Sequence, residues 1–544
     1  MAGDGQRNGG GGGGGGNKRA RLEGVLPKDP LVTDGTISFD SRREAFFSMG
    51  EGTHRVPMTM HADNRARLCA ALRARAEISA EAVVVLQGGE EKSVYDTDTN
   101  WSFKQESNFQ YLFGVKEPGC LAALRVRDAR AVLLVPIMGE EYQAWCGPIK
   151  PPAWFQRAYG VDQVACVEEA RSALEGLGAK ELLFLQGDAN RDSGLKLPEP
   201  DFEGKAAFQV SATGSRVLWD EMNECRLIKS EDELEILQYV NDVSSCAHIE
   251  VMRGARSGQR EHLAEATFRY QSAVRGCFRT GYDCICGSGR RNAILHYGHP
   301  AEPNSELVVE GAMRLHDMGA EYHGYCADVT CSFPVSGRFD AAQRAVYGAV
   351  WAATLAVEQR VKPGVCYKDM HRLAQRTMLV KMKEAGLFVG EVEAMVAAGL
   401  MSFFMPHGLG HCLGLDVHDV GGYAPGAFRG DDASIKENLR LGRELKQGMV
   451  ITVEPGFYFI DYLIQKLLDD PQLSSFVDEV RLRELWGPVG GVRIEDDVVI
   501  TEDGCRVLTC VPREISEVEA VMAGQEWMVS SSCCRKYKAV SGKL

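Results

Sequence analysis

An α+β chain of two domains, the first α/β and the second a larger mixed unit, is predicted by three features of the sequence. Between about residues 55 and 220 the apolar runs are short and end in glycine or charge, as buried strands do. From Ser230 onward apolar residues recur at helical spacing behind a capping signal. Beyond residue 310 long helical periodicities are interspersed with strand-like runs.

In the first domain, Ala82 to Leu86 precedes Gln-Gly-Gly, and Glu181 to Leu185 precedes Gln-Gly. Leu121 to Val126 and Val132 to Pro136 flank Arg-Asp-Ala-Arg, and all four runs read as strands. The second domain opens on a capping box of Ser230 and Glu233, followed by Leu234, Leu237, Val240, Val243 and Ala247 on one helical face. Ala341 to Gln359 and Tyr367 to Ala385 also read as helices, and 312–334, 448–459 and 490–500 as strands. The expected boundaries are 55–222 and 226–525. Residues 1–25, with glycines from Gly9 to Gly16, have too little apolar surface to fold and are expected to be disordered. Their Lys18-Arg19-Ala20-Arg21 cluster reads as solvated tail, and 526–544 as a flexible carboxy-terminal tail.

Composition narrows the function. A formal net charge of −14 over 544 residues argues against a nucleic-acid surface, and no apolar run approaches the ~18 residues of a membrane span. The expected partner is a small molecule or a second copy of the chain. The start lacks the charged-then-apolar pattern of a secretory signal, so the 17 cysteines are expected in a reducing, cytoplasmic setting. Cys284-Ile-Cys286 and Cys533-Cys534 lack the paired spacing of a zinc site and read as packed thiols.

Every histidine except His54 and His61 lies after residue 247, which places imidazole chemistry in the second domain. The stretch from Met313 to Cys331 reads as two strands about a turn near Glu321 to Gly324. A turn centred between Tyr322 and His323 makes Asp317 and Asp328 cross-strand neighbours, with Cβ atoms about 4.5–5.5 Å apart. Opposed carboxylates are destabilising unless a cation or a proton lies between them; otherwise these are two solvated acids on a hairpin edge. His407, His411 and His418 share a glycine-rich stretch in which backbone can approach a ligand closely. It is not the helical HExxH motif. Glu454 ends an apolar run before Pro-Gly, at a strand's mouth. Alternation puts Arg493, Glu495 and Asp497 on one strand face, so Arg493 and Glu495 form either part of a site or a salt bridge. One histidine with four carboxylates suits Mn²⁺ or a similar ion, and two such ions about 3.5–4 Å apart make a hydrolytic site.

With those residues in that order, the chain resembles the pita-bread metallopeptidases over roughly residues 55 to 525. The likeness is carried by Leu86-Gln-Gly-Gly-Glu-Glu, Phe103-Lys-Gln-Glu-Ser, Cys284-Ile-Cys-Gly-Ser-Gly, Leu295-His-Tyr-Gly-His, Met405-Pro-His-Gly-Leu-Gly-His, Asp416-Val-His-Asp-Val-Gly-Gly-Tyr and Gly491-Val-Arg-Ile-Glu. It implies a creatinase-like (aminopeptidase-P-like) α/β amino-terminal domain, a pita-bread catalytic domain, a homodimer, two manganese ions and hydrolysis of Xaa-Pro dipeptides by a hydroxide between the metals. An aminopeptidase acting on longer Xaa-Pro peptides is the alternative within the same fold, and a binding protein that has lost the ligands the alternative outside catalysis. Carried over by residue, Asp317, Asp328, His411, Glu454 and Glu495 match metal ligands, with Asp328 and Glu495 bridging. His296, His418 and Arg440 match substrate-binding positions; Glu454 is also expected to relay a proton and His418 to donate to the developing oxyanion. Arg440 and His296 are expected to clamp the substrate's free carboxylate, although Asn438-Leu-Arg-Leu-Gly-Arg alone reads as surface. Two departures stand out. His316 occupies a position usually hydrophobic but is expected to face away from the metals, and Arg290-Arg291 add charge to the loop after Cys286-Gly-Ser-Gly, which is expected to alter preference for the substrate's first residue.

Overall fold

Strands that are apolar at every position need cover on both faces, and the first domain provides it. In the computed structural model, which describes residues 36–427, 429–430, 438–529 and 535–538, six strands form one sheet. Their spatial order is Gln163–Cys166, Ala131–Val135, Leu121–Arg125, Ala82–Gln87, Glu181–Leu183 and Gln209–Val210. Only Leu121–Arg125 runs antiparallel to its neighbours. Val84, Leu86, Ala122 and Leu124 pack into the main core on one side, and Val83, Val85, Leu121 and Ala123 into a second cluster on the other. The four expected strands are therefore present, each within two residues of its expected end.

The junction expected at 222–226 lies inside the helix Ala212–Leu227. The chain leaves that helix at Ile228, which bridges to Met449, and Ser230 caps the next helix, Glu231–Gly254. Both halves of the expected capping box form: Glu233 N–H donates to Ser230 Oγ at 3.3 Å, and Ser230 N–H to Glu233 Oε2 at 2.8 Å. Helices Ala341–Glu358 and Tyr367–Glu384 pack on one another beside the strands that carry the acidic residues.

Those strands form short antiparallel sheets. Met313–Asp317 lies between Ile285–Ser288 and Thr330–Pro334, while Val450–Val453 pairs with Asp496–Ile500 and Gly456–Tyr458 with Gly491–Arg493. The hairpin register differs from expectation. Its loop is His323-Gly324, with φ of 51° and 90°, closed by Tyr322 opposite Tyr325. A two-residue loop with both φ positive places glycine inside the loop, which moves the turn one residue along. Asp317 thus faces Thr330, and Asp328 is displaced by two residues from the expected partner position. A displacement of two preserves the face, so both carboxylates still point the same way.

The segment expected to be a flexible carboxy-terminal tail is in part a sheet edge. Lys536–Lys538 pairs with Gly504–Val507, and Arg535 forms ion pairs with Glu358 and with Asp496. The glycine-rich residues 1–25 and the Cys533-Cys534 pair lie outside the described residues. Cys284 and Cys286 are buried, and no two described cysteines are joined in a disulfide. Among the described residues no helix is long and apolar enough to cross a membrane.

Candidate metal centre

Four acids and a histidine meet on the floor of a cavity of about 490 Å³, delivered by separate elements. Asp317 ends one strand of the hairpin and Asp328 precedes the other. Glu454 follows Val450–Val453, where Pro455 interrupts the ladder, and Glu495 sits in the break between Gly491–Arg493 and Asp496–Ile500. His411 comes from the glycine-rich stretch, whose residues 406–423 form no helix, as the glycines led one to expect.

The polar contacts aim these groups inward. His411 Nδ1 lies 3.0 Å from the Cys412 carbonyl oxygen, which makes Nδ1 the protonated nitrogen and leaves the Nε2 lone pair free. That Nε2 is 3.4 Å from Asp328 Oδ2 and 3.6 Å from Glu454 Oε1. Ligand atoms of Asp328, His411 and Glu495 all lie within 4.8 Å of one another. Thr330 Oγ1 donates to Glu495 Oε2 at 2.7 Å, and Asp497 Oδ2 accepts from Asp328 N–H at 3.0 Å. Asp317 takes Tyr282 OH and the Arg493 guanidinium, each at 2.5 Å.

Arg493 is the one buried cation among these contacts, and it serves Asp317. Burial, followed by repulsion from Asp317, pushes the Asp328 carboxyl well above its usual range, and burial with repulsion from Asp328 does the same to Glu495. Burial raises Glu454 to about 7. Carboxylates so placed either hold protons or surround cations, and a neutral imidazole with its lone pair among them could join them in holding a metal ion. The donor set of one nitrogen and carboxylate oxygens fits hard divalent ions, with no thiolate to select zinc or copper(I).

One expected result follows from linkage. A carboxyl whose pKa is raised by folding binds more protons in the folded than in the unfolded chain between its ordinary value of 4.5 and, for Glu454, about 7. Its stabilising contribution is therefore lost as pH rises across that window. The site's lowered histidines act the other way, since the unfolded chain binds protons on them near pH 6.5, but that opposing contribution fades above 6.5 while Glu454, Asp328 and Glu495 are still losing protons. Chelated protein should melt a few degrees lower at pH 7.5 than at 6.5, and excess Mn²⁺ should reverse that order, because ligation requires the deprotonated forms. A chelated protein whose melting temperature rises with pH over this interval would refute strain among the acids.

The expected substrate residues line the same cavity. His418 stacks edge-on against His411 with ring centroids 4.5 Å apart, and desolvation, then His411 and Arg440, hold its imidazole neutral. His296 stands exposed at the cavity wall beside Leu295. Arg440, surface-like by its neighbours in sequence, lines the cavity and pairs with Asp192. His316 faces the other side of its strand, edge-on to Phe333 at 5.1 Å, with neither ring nitrogen partnered among the described residues. Arg290 and Arg291 pair with Asp461 and Glu306, and neither is among the residues that line this cavity.

Sequence reasoning missed several residues here. Tyr282 and Tyr458 support Asp317 and Arg493, and His407 Nε2 accepts from Tyr458 OH at 2.9 Å. Arg191 and Asp192 arrive from the first domain, where Arg191 donates to the Arg429 carbonyl oxygen at 2.9 Å. No local pattern marks them, because they act only through a distant fold contact.

Comparison with known proteins identifies the family and the fold. Residues 235–502 match the model of metallopeptidase family M24, and residues 61–184 that of the aminopeptidase P N-terminal domain. The chain is 46% identical over 479 residues to an Xaa-Pro dipeptidase of Homo sapiens, covering 88% of this chain and 96% of that one. It is 45% identical to its counterpart in Mus musculus over the same shares. The solved structure of Pseudomonas aeruginosa aminopeptidase PepP superposes with a TM-score of 0.69 at 29% identity, over 86% of this chain and 98% of that one.

Proposed function

Since the chain belongs to metallopeptidase family M24 and has its pita-bread catalytic domain behind an aminopeptidase-P-like domain, we propose that it is an Xaa-Pro dipeptidase working with two Mn²⁺ ions. The observation that carries this reading is the meeting of Asp317, Asp328, His411, Glu454 and Glu495 beneath a cavity walled by Arg440, His296 and His418. The greater identity to the Xaa-Pro dipeptidases than to the solved aminopeptidase supports the dipeptide over the longer substrate.

Two divalent ions in this cage would supply Lewis acidity and acidify water. Asp317, Asp328, His411, Glu454 and Glu495 would hold the ions, with Asp328 and Glu495 at the positions that match bridging ligands in the family. Glu454, at the mouth of its strand, would sit beside the ions and can relay a proton. Neutral His418 can donate one N–H to charge developing on the scissile carbonyl oxygen. Arg440, with His296, takes the carboxylate of the departing proline, which fixes both orientation and chain length. Cytoplasmic residence is part of the reading, supported by thiols that are not paired in disulfides among the described cysteines. So is a homodimer, supported by exposed Ile137, Met138, Tyr142 and Trp145 along one stretch of the first domain.

The test is hydrolysis of Gly-Pro beside a longer Gly-Pro-Xaa peptide, with bound metal quantified. A carboxylate clamp left unfilled should lower kcat/KM for the longer peptide by about 100-fold or more. Preference for the longer peptide would make the protein an aminopeptidase, and absence of both metal uptake and hydrolysis would remove catalysis altogether.

A further inference from the structure

A second crevice lies between the domains and shares no wall residue with the metal cavity. It encloses about 310 Å³, at the lower end of the roughly 300–1,000 Å³ typical of small-molecule sites. Its walls are mainly apolar, with Phe47 and Phe278 among them, and its charged groups are Lys104, Lys116, Arg279 and Glu321. Glu321 is 8% exposed and already serves two cations, Lys104 Nζ at 3.0 Å and Arg279 Nε at 3.3 Å. Lys116 has a weaker setting: Gln110 Oε1 at 3.5 Å and the Phe47 ring at 4.7 Å.

The acids nearby are committed elsewhere. Glu117 accepts from Tyr159 OH at 2.6 Å, and Asp416 from Ser107 and Arg226 at 2.7 and 2.8 Å. Three cations therefore line the crevice against one carboxylate, in a chain whose net charge is −14. Burial pushes the Lys116 ammonium down to about 8, the signature of a cation lacking a full counter-charge.

We propose that this crevice is a binding site for a small organic anion, a carboxylate carried on an apolar body, separate from the metal centre. The carboxylate meets Lys116 and Arg279, and the body lies against Phe47 and Phe278. Such a ligand joins the first domain to the second through these two cations. It also reaches His323 and Gly324, the loop of the hairpin that carries Asp317 and Asp328. The site stands whether or not the metal centre cleaves dipeptides.

A covalent probe tests it without reference to activity. In metal-loaded, full-length protein at pH 8, 4-formylbenzoate should condense with the Lys116 amine: nitrogen adds to the aldehyde carbon and water leaves. Cyanoborohydride then delivers hydride to the C=N bond and fixes a secondary amine, located by peptide mass spectrometry. Lys116 should label at least about tenfold faster than other lysines, since its amine is partly deprotonated and the probe's carboxylate is held. Excess phenylacetate should suppress that labelling at least about fivefold, and Arg279→Gln should do the same. Labelling of Lys116 at the rate of surface lysines would overturn the proposal. So would fast labelling that neither phenylacetate nor Arg279→Gln reduces, which would mark a reactive lysine without an anion site. Phenylacetate protection of the unaltered protein decides the matter even if Arg279→Gln folds poorly.

Discussion

Replacing Glu495 by glutamine is expected to remove at least one metal ion per chain and to lower Gly-Pro hydrolysis by about three orders of magnitude. Glu495 is 1% exposed, and its Oε2 accepts from Thr330 Oγ1 at 2.7 Å, so an isosteric amide can keep its place in the fold. A neutral amide cannot bridge two cations as a carboxylate does, and losing several kcal/mol of charge stabilisation corresponds to roughly that rate. The same substitution removes one of the acids that repel one another here: burial, then Asp328, Glu454 and Asp317 all raise the Glu495 carboxyl. Chelated Glu495→Gln protein should therefore melt at a higher temperature than chelated wild type, while gaining less from added Mn²⁺. That inversion separates loss of a ligand from ordinary destabilisation, which would lower both melting temperatures. Unchanged metal content and activity would exclude Glu495 from the centre.

Alternation along strands was enough to anticipate that Asp317 and Asp328 share a face, because a period of two survives a register error of two. The register itself needed the positive φ of His323 and Gly324, a tertiary outcome that no residue pattern alone selects. Arg493 was legible as a partner for an acid on its own face, but the break at Ile494 and Glu495 separates the pair, and Arg493 reaches across to Asp317. Proline specificity and the dipeptide limit came from family resemblance, since no spacing in this chain encodes them. Asp192 was invisible for a different reason: it meets Arg440 from 248 residues away and from the other domain.

That contact sets the second expected result. Asp192 accepts from Arg429 at 2.9 and 3.1 Å and pairs with Arg440, so in the free protein it occupies the guanidinium that the proposed mechanism assigns to the substrate carboxylate. The two arginines lower the Asp192 carboxyl below its usual range, which keeps it ionised at neutral pH. Arg440→Ala should raise KM for Gly-Pro about 100-fold with little change in kcat, the mark of binding made equally in ground and transition states. Gly-prolinamide, which lacks the carboxylate, should be a poor substrate for both proteins and change by no more than about threefold on the substitution. Asp192→Asn keeps an acceptor for Arg440 but removes the competing charge. Because both arginines are partly exposed, an effect near 1 kcal/mol is reasonable, so KM for Gly-Pro should fall about three- to fivefold. The inhibition constant of proline, which carries the same carboxylate, should fall in parallel while kcat stays level. A higher KM for Asp192→Asn would reverse the assignment: Asp192 would then be the group that holds Arg440 in position, and the first domain would build the clamp instead of competing for it.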